Sequence, residues 1–179
     1  MQNADDLLSS FKNNLFVPST DSSDRIPDCA GNYIMCLQHE SKLPSIGIEP
    51  LFKTFESLNV IYTGISGDSL QRRDYKKHFT GNNAGQSTLR KSLGVMFGYR
   101  QIPQGKNPRR TKFCREDEQQ LTEWIRKNLV MFYLVHLNYR QIESDLIKHL
   151  NPPLNLLGNH NPINIEFRKL LSQLRCKRA

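Results

Sequence analysis

The sequence predicts a small α+β domain: a central antiparallel or mixed β-sheet, flanked by helices and interrupted by inserted loops. Three observations carry that expectation. Three β-rich runs, 31–37, 59–65 and 129–137, stand among helix-periodic segments without the regular alternation of a doubly wound sheet. The 179 residues amount to one domain, large enough to bury a core without disulfides or a structural metal. At 37% hydrophobic and 23% charged residues, the composition is globular rather than disordered.

Taken in order, residues 4–16 place Leu7, Leu8, Phe11, Leu15 and Phe16 at helical spacing. The Pro- and Ser/Asp-containing stretch 17–30 reads as a linker. Residues 1–28 are therefore expected as a helix and linker ahead of a main domain at 29–179. The first strand candidate is GNYIMCL (31–37) and the second is NVIYTGI (59–65). Between them, 40–58 contains Pro44 and Pro50 and a helical-turn pattern around Leu51, Phe52 and Phe55. Asp68, with Gln71 three residues on, has the form of a capping box for the next helix. The loop GNNAGQ (81–86) leads to a helix from Ser87 to about Phe97. Segment 98–115 holds six Lys/Arg and no acid and is expected as a flexible cationic loop. A solvated helix, REDEQQLTEWIRKN, precedes the third strand. The following helix starts near Asn138 and must stop at Pro152 and Pro153. A last amphipathic segment, 162–174, runs into the basic residues Arg175, Lys177 and Arg178.

Composition also excludes. The start MQNADDLLSS has two acids and no apolar core of a secretory signal, and Leu129–Val135 falls far short of the ~20 apolar residues that span a bilayer. Cys29, Cys36, Cys114 and Cys176 stand apart without a C-x-x-C pair, which points to reduced thiols and a cytoplasmic protein. Neither phosphate-cradling glycine motif is present. Lys+Arg number 25 against 17 Asp+Glu, a net charge of +8 that draws polyanions, nucleic acid foremost.

Glu143 is the most informative single position. It falls inside the stripe Tyr139, Ile142, Leu146, Ile147 and Leu150, where an unpaired carboxylate is costly to bury. An internal ion pair with Arg or Lys answers that; so does a hard cation such as Mg²⁺. A second cluster, Leu70-Gln71-Arg72-Arg73 with Lys76, Lys77 and His78, forms a helix with almost no apolar face. Arg73 shares a face with Leu70 and Lys77, and a guanidinium there suits bidentate contact with phosphate.

In sequence order these residues resemble the GIY-YIG nuclease superfamily. GNY (31–33) and YTG (62–64) correspond to its two half-motifs. YTGISGDSLQRRDYKKHF (62–79) supplies an Arg and a nearby His, STLRKSLG (87–94) continues the match, and IESDLIKHLNPPLN (142–155) supplies the helical Glu and a later Asn. The resemblance covers about residues 30–157. It implies a metal-dependent endodeoxyribonuclease, a phosphodiester hydrolase using Mg²⁺ or Mn²⁺ on double-stranded DNA. Tyr33 would contact the attacking water as general base or relay, with Tyr62 orienting water or phosphate beside it. Arg73 would bind the scissile phosphate, with Arg72 a close competitor, and His78 would hydrogen-bond near the tyrosine pair. Glu143 would hold the cation. Gly64 and Asn155 would support the site, Asn155 tying the end of the fold to it.

Asn32 and Thr63 depart from the family's apolar residues and should point away from the tyrosine face. The half-motifs lie 28 residues apart (34–61), so 40–58 is an insertion suited to contacting DNA or a second copy in a homodimer. Segment 98–115 is similar to insertions in restriction enzymes of the superfamily, which favours a stand-alone restriction-type enzyme. A structure-selective repair nuclease and a non-cleaving DNA-binding module of the same fold are the alternatives. Lys77, Arg90, Lys91, Arg109 and Arg110 are the further candidates for gripping the DNA backbone.

Overall fold

A computed structural model of the chain describes residues 4–81, 84–104 and 107–177, the side chains at 4, 73, 74 and 107–109 excepted. Its elements are α1 (Ala4–Ser9), β1 (Leu15–Phe16), β2 (Gly31–Leu37), β3 (Thr54–Phe55), β4 (Leu58–Ser66), a π-helical segment (Gln71–Phe79), α2 (Thr88–Met96), β5 (Ile102–Gln104), β6 (Asn107–Lys112), α3 (Arg115–Asn128), β7 (Leu129–Val135), α4 (Tyr139–Leu150) and α5 (Ile165–Cys176). The three strand candidates become β2, β4 and β7. They form the middle of an antiparallel five-stranded sheet in the order β1-β7-β2-β4-β3.

Strand β2 is buried along its whole length because it is paired on both sides and covered on both faces. Its alternation sorts the core into two halves. Tyr33, Met35 and Leu37 face one layer with Phe79, Leu89, Leu93, Leu121, Phe167 and Leu171. Ile34 and Cys36 face the other, with Leu7 of α1, Phe11 just beyond it, and Ile142, Leu146 and Leu150 of α4. Burial pushes the Cys36 thiol well above its ordinary range, so it stays protonated and unreactive; all four cysteines are free.

Several local expectations give way to the structure. The helix expected over 4–16 ends at Ser9, and Leu15–Phe16 pair with β7 instead, so the N-terminal segment is built into the sheet. Asn13 and Asn14 favour that break, since Asn side chains compete for backbone hydrogen bonds. Residues 51–55 form no helical turn: Thr54–Phe55 pair with β4 through a turn at Glu56 and Ser57, both at positive φ (46° and 63°). The ring of Phe55 then meets Phe132 edge-on at 4.8 Å. Within segment 98–115, expected as a flexible loop, Ile102–Gln104 and Asn107–Lys112 pair as the antiparallel strands β5 and β6. The cap of the π-helical segment is Ser69, whose Oγ accepts the Arg72 N–H at 3.0 Å, while Asp68 accepts from Ser69 N–H. Thr80 N–H reaches back five residues to the Tyr75 carbonyl at 2.9 Å, the wide spacing of a π turn.

At the far end, Asn151 takes the left-handed conformation (φ 44°) that closes α4 ahead of the prolines. The chain then runs back along the free edge of β4: Leu154 N–H donates to the Ile61 carbonyl at 3.0 Å. Among the described residues no helix is long and apolar enough to cross a membrane.

Candidate active site

The site grows from the register of β2 against β4. Tyr33 lies opposite Gly64, and Met35 opposite Tyr62, which puts both tyrosines on the same sheet face. Their ring centroids are 6.2 Å apart. Gly64 is required here by space: a Cβ at that position would overlap the Tyr33 ring and hydroxyl.

Tyr33 has no exposed surface, whereas Tyr62 keeps 7% and lines an open cleft. The Tyr33 hydroxyl is 2.8 Å from His78 Nε2, and His78 Nδ1 is 2.6 Å from Ser87 Oγ. Ser87 is also the cap of α2, its Oγ accepting the Arg90 N–H at 3.1 Å. These three side chains form a hydrogen-bonded row. If Ser87 donates to Nδ1, the ring carries its proton on Nε2 and donates to the Tyr33 oxygen; the other tautomer accepts the phenolic proton instead.

The cleft lies over the free edge of β4 and holds about 320 Å³. Tyr62 and Asn155 line it together with Arg140 and Glu143 of α4, Thr88 of α2 and Leu157. Asn155 closes the strand edge by a pair of hydrogen bonds: its Nδ2 donates to the Thr63 carbonyl and its Oδ1 accepts the Thr63 N–H, both at 2.9 Å. Glu143 is half-buried at the cleft wall, just outside the stripe Ile142, Leu146, Ile147 and Leu150 that α4 buries. One carboxylate opening on such a cleft fits a single hard cation that completes its shell with water and phosphate oxygens. Among the described residues no three His, Cys, Asp or Glu cluster to hold a metal by themselves.

The remaining sequence candidates divide. Arg72 is exposed and pairs with Asp68 at 3.4 Å, away from the cleft. The side chain of Arg73 lies outside the described residues, as does that of Arg109, while Arg110 is exposed on β6. Lys77 and Lys91 are half-buried. Arg90 is a correction. It is fully buried and cannot meet a DNA backbone. Its guanidinium donates to Glu118 Oε2 at 2.7 and 3.2 Å, to the Glu118 carbonyl at 2.8 Å, to Thr122 Oγ1 at 2.9 Å and to the His78 carbonyl at 3.0 Å. Glu118 Oε1 in turn accepts the Ala84 and Phe113 N–H groups. Arg90 thus holds the backbone of His78 from behind.

Ser87, Thr88 and the Arg90–Glu118 pair were missed as parts of the site's support. Glu118 carried a signal, since it sits three residues before Leu121 and seven before Ile125 on the buried stripe of α3. Asn32 and Thr63 do point to the opposite face, where Asn32 Nδ2 donates to the Tyr139 carbonyl at 2.8 Å. Asn32 Oδ1 and Thr63 Oγ1 are buried without a hydrogen-bond partner among the described residues.

The antiparallel five-stranded sheet, flanked by helices, places paired tyrosines on one face, a histidine bonded to one of them and a carboxylate on the adjoining cleft. Residues 31–177 match the GIY-YIG catalytic domain, and the chain belongs to that family of nucleases. No curated protein and no solved structure matches the chain.

Proposed function

We propose that the protein is a divalent-metal-dependent DNA endonuclease of restriction type. The observation that supports this best is the row Tyr33–His78–Ser87 placed directly behind Tyr62, with Glu143 across the same cleft. A hydrolytic nuclease has to position a water, take its proton and accommodate charge on the phosphate. Tyr62 is the phenol that meets the water and phosphate. Tyr33 is the relay, buried so that its hydroxyl exchanges a proton with His78 rather than with solvent. Ser87 sets the tautomer of that histidine. A phenol near pKa 10 is a weak base unless cationic surroundings favour its phenolate; Arg73 is assigned to that task and to the scissile phosphate.

Glu143 would hold the Mg²⁺ or Mn²⁺ ion. When bound, that ion supplies charge neutralisation at the phosphate and help for the leaving oxygen. Asn155 keeps the edge of β4 closed, so the position of Tyr62 does not drift with the loop beyond it. The β5–β6 hairpin, with Arg110 and Lys112 exposed, supports the restriction-type reading as a cationic arm for duplex DNA. Supercoiled, linear and branched DNA incubated with Mg²⁺ or EDTA test the proposal. Discrete fragments from the unbranched substrates, absent in EDTA, are expected. Cutting confined to branched DNA would make it a structure-selective nuclease, and no cutting of any substrate would overturn the enzymatic reading.

A further inference from the structure

We infer that Arg175 and Lys91 form a second phosphate subsite, continuous with the Tyr62–Glu143 cleft, which holds a backbone phosphate neighbouring the one to be cut. The inference rests on the nucleic-acid-cleaving reading above and goes beyond the catalytic set, which ends at Asn155.

A second groove of about 440 Å³ adjoins the cleft. Thr88, Leu156 and Leu157 line both, so one continuous channel runs from Glu143 on α4, past Tyr62, to the C-terminal turn of α5. The far half is lined by Lys91, Ser172 and Arg175 and by no carboxylate. The charged side chains that line it, Lys91 and Arg175, are therefore both cations.

Arg175 is what makes this a built site rather than a solvated cation. Among the described residues no carboxylate pairs with it, and its hydrogen bond is a long one to Ser92 Oγ at 3.5 Å. Burial pulls its pKa below the ordinary arginine value, opposed by the nearby Tyr62 phenol and Cys176. A partly desolvated guanidinium gains most from an anion that presents two oxygens to its planar fork, and phosphate does so. Arg90 and Arg168, the arginines buried outright among the described residues, are already saturated: Arg90 by Glu118 and backbone carbonyls, Arg168 by Asn151 Oδ1 and the Asn161 and Ile163 carbonyls. Arg175 differs in opening on a groove. Its groove shares Thr88, Leu156 and Leu157 with the cleft that Tyr62 lines, which places the subsite within one strand's reach of the reacting position.

Binding of a short fluorescent DNA duplex in EDTA, titrated over a range of salt, tests this without cleavage. The variants are Arg175→Gln, Arg175→Lys and, as a control of equal charge change on the exposed face of the same helix, Lys169→Ala. Arg175→Gln should weaken binding about tenfold and flatten the slope of log affinity against log salt by about 0.9, one phosphate contact. Arg175→Lys should keep most of the slope, because it retains the cation. Loss of α5 packing alone would lower the melting temperature of both Arg175 variants without changing the slope. If Arg175→Gln shows the affinity and slope of Lys169→Ala while the wild type binds and cuts, the subsite is overturned and the nuclease reading stands. If the wild-type protein binds no duplex, both fall together.

Discussion

Tyr33 shows how much of the site is decided by single side chains. Its ring fits only because residue 64 has no Cβ, and its hydroxyl has a defined partner in His78. Gly64→Ala should therefore displace the ring and destabilise the fold by about 1–3 kcal/mol, as overpacking does; urea denaturation reads the loss. Tyr33→Phe keeps the ring and removes the hydrogen bond. It should leave the protein folded, within about 1.5 kcal/mol of wild type, while DNA cleavage is lost. Full cleavage by a folded Tyr33→Phe protein would remove Tyr33 from the chemistry. Thr63 runs the other way. Its buried hydroxyl has no partner among the described residues, so Thr63→Val should raise stability by about 1 kcal/mol, seen as a later denaturation midpoint with an unchanged slope.

At the scale of elements, the Arg90–Glu118 pair binds α2 to α3 and fixes the carbonyl of His78. Removing one partner strands the other charge in the core. Arg90→Met alone should cost about 3–5 kcal/mol, and the double variant Arg90→Met/Glu118→Leu should recover part of it. A double variant as unstable as the sum of the singles would show that the two do not act as a pair.

The same pair explains where sequence reading succeeded and where it failed. A carboxylate expected inside an apolar helical stripe singles out Glu143, and the structure puts that residue just outside the stripe, lining the cleft. Glu118 fits the pattern still better, but its partner Arg90 stands at a helix start after the loop GNNAGQ, a place that equally suits a phosphate ligand. Its spacing of three to Leu93, which is buried, is the clue to its burial. Strands β2, β4 and β7 were legible because β-branched and aromatic residues are concentrated there. The β5–β6 hairpin was not: Arg110, Thr111, Lys112 and Phe113 alternate between exposed and buried, yet charge dominates the composition and masks the period of two. Pairing of Leu15–Phe16 with β7 was invisible for a different reason, since two residues carry no period and depend on a partner more than a hundred positions away.

Across the whole molecule, the antiparallel sheet carries helices on both faces, and the candidate chemistry collects where β4 is left without a neighbouring strand. That edge is an economical place for a cleft, because α4, α2 and the 154–158 segment converge on it from different layers. The net charge of +8 then acts at longer range, raising the rate at which a polyanion arrives without choosing its sequence. DNA binding should accordingly weaken steeply with salt, whereas the chemistry should depend on a few residues at one edge of the sheet.

Glu143→Gln separates those two contributions most directly, since it preserves size and removes the charge assigned to the cation. Cleavage of plasmid DNA in Mg²⁺ should be abolished, while duplex affinity in EDTA stays within about threefold of wild type, less than one tenfold step of binding energy. Undiminished cleavage by Glu143→Gln, with binding intact, would contradict the account at its centre.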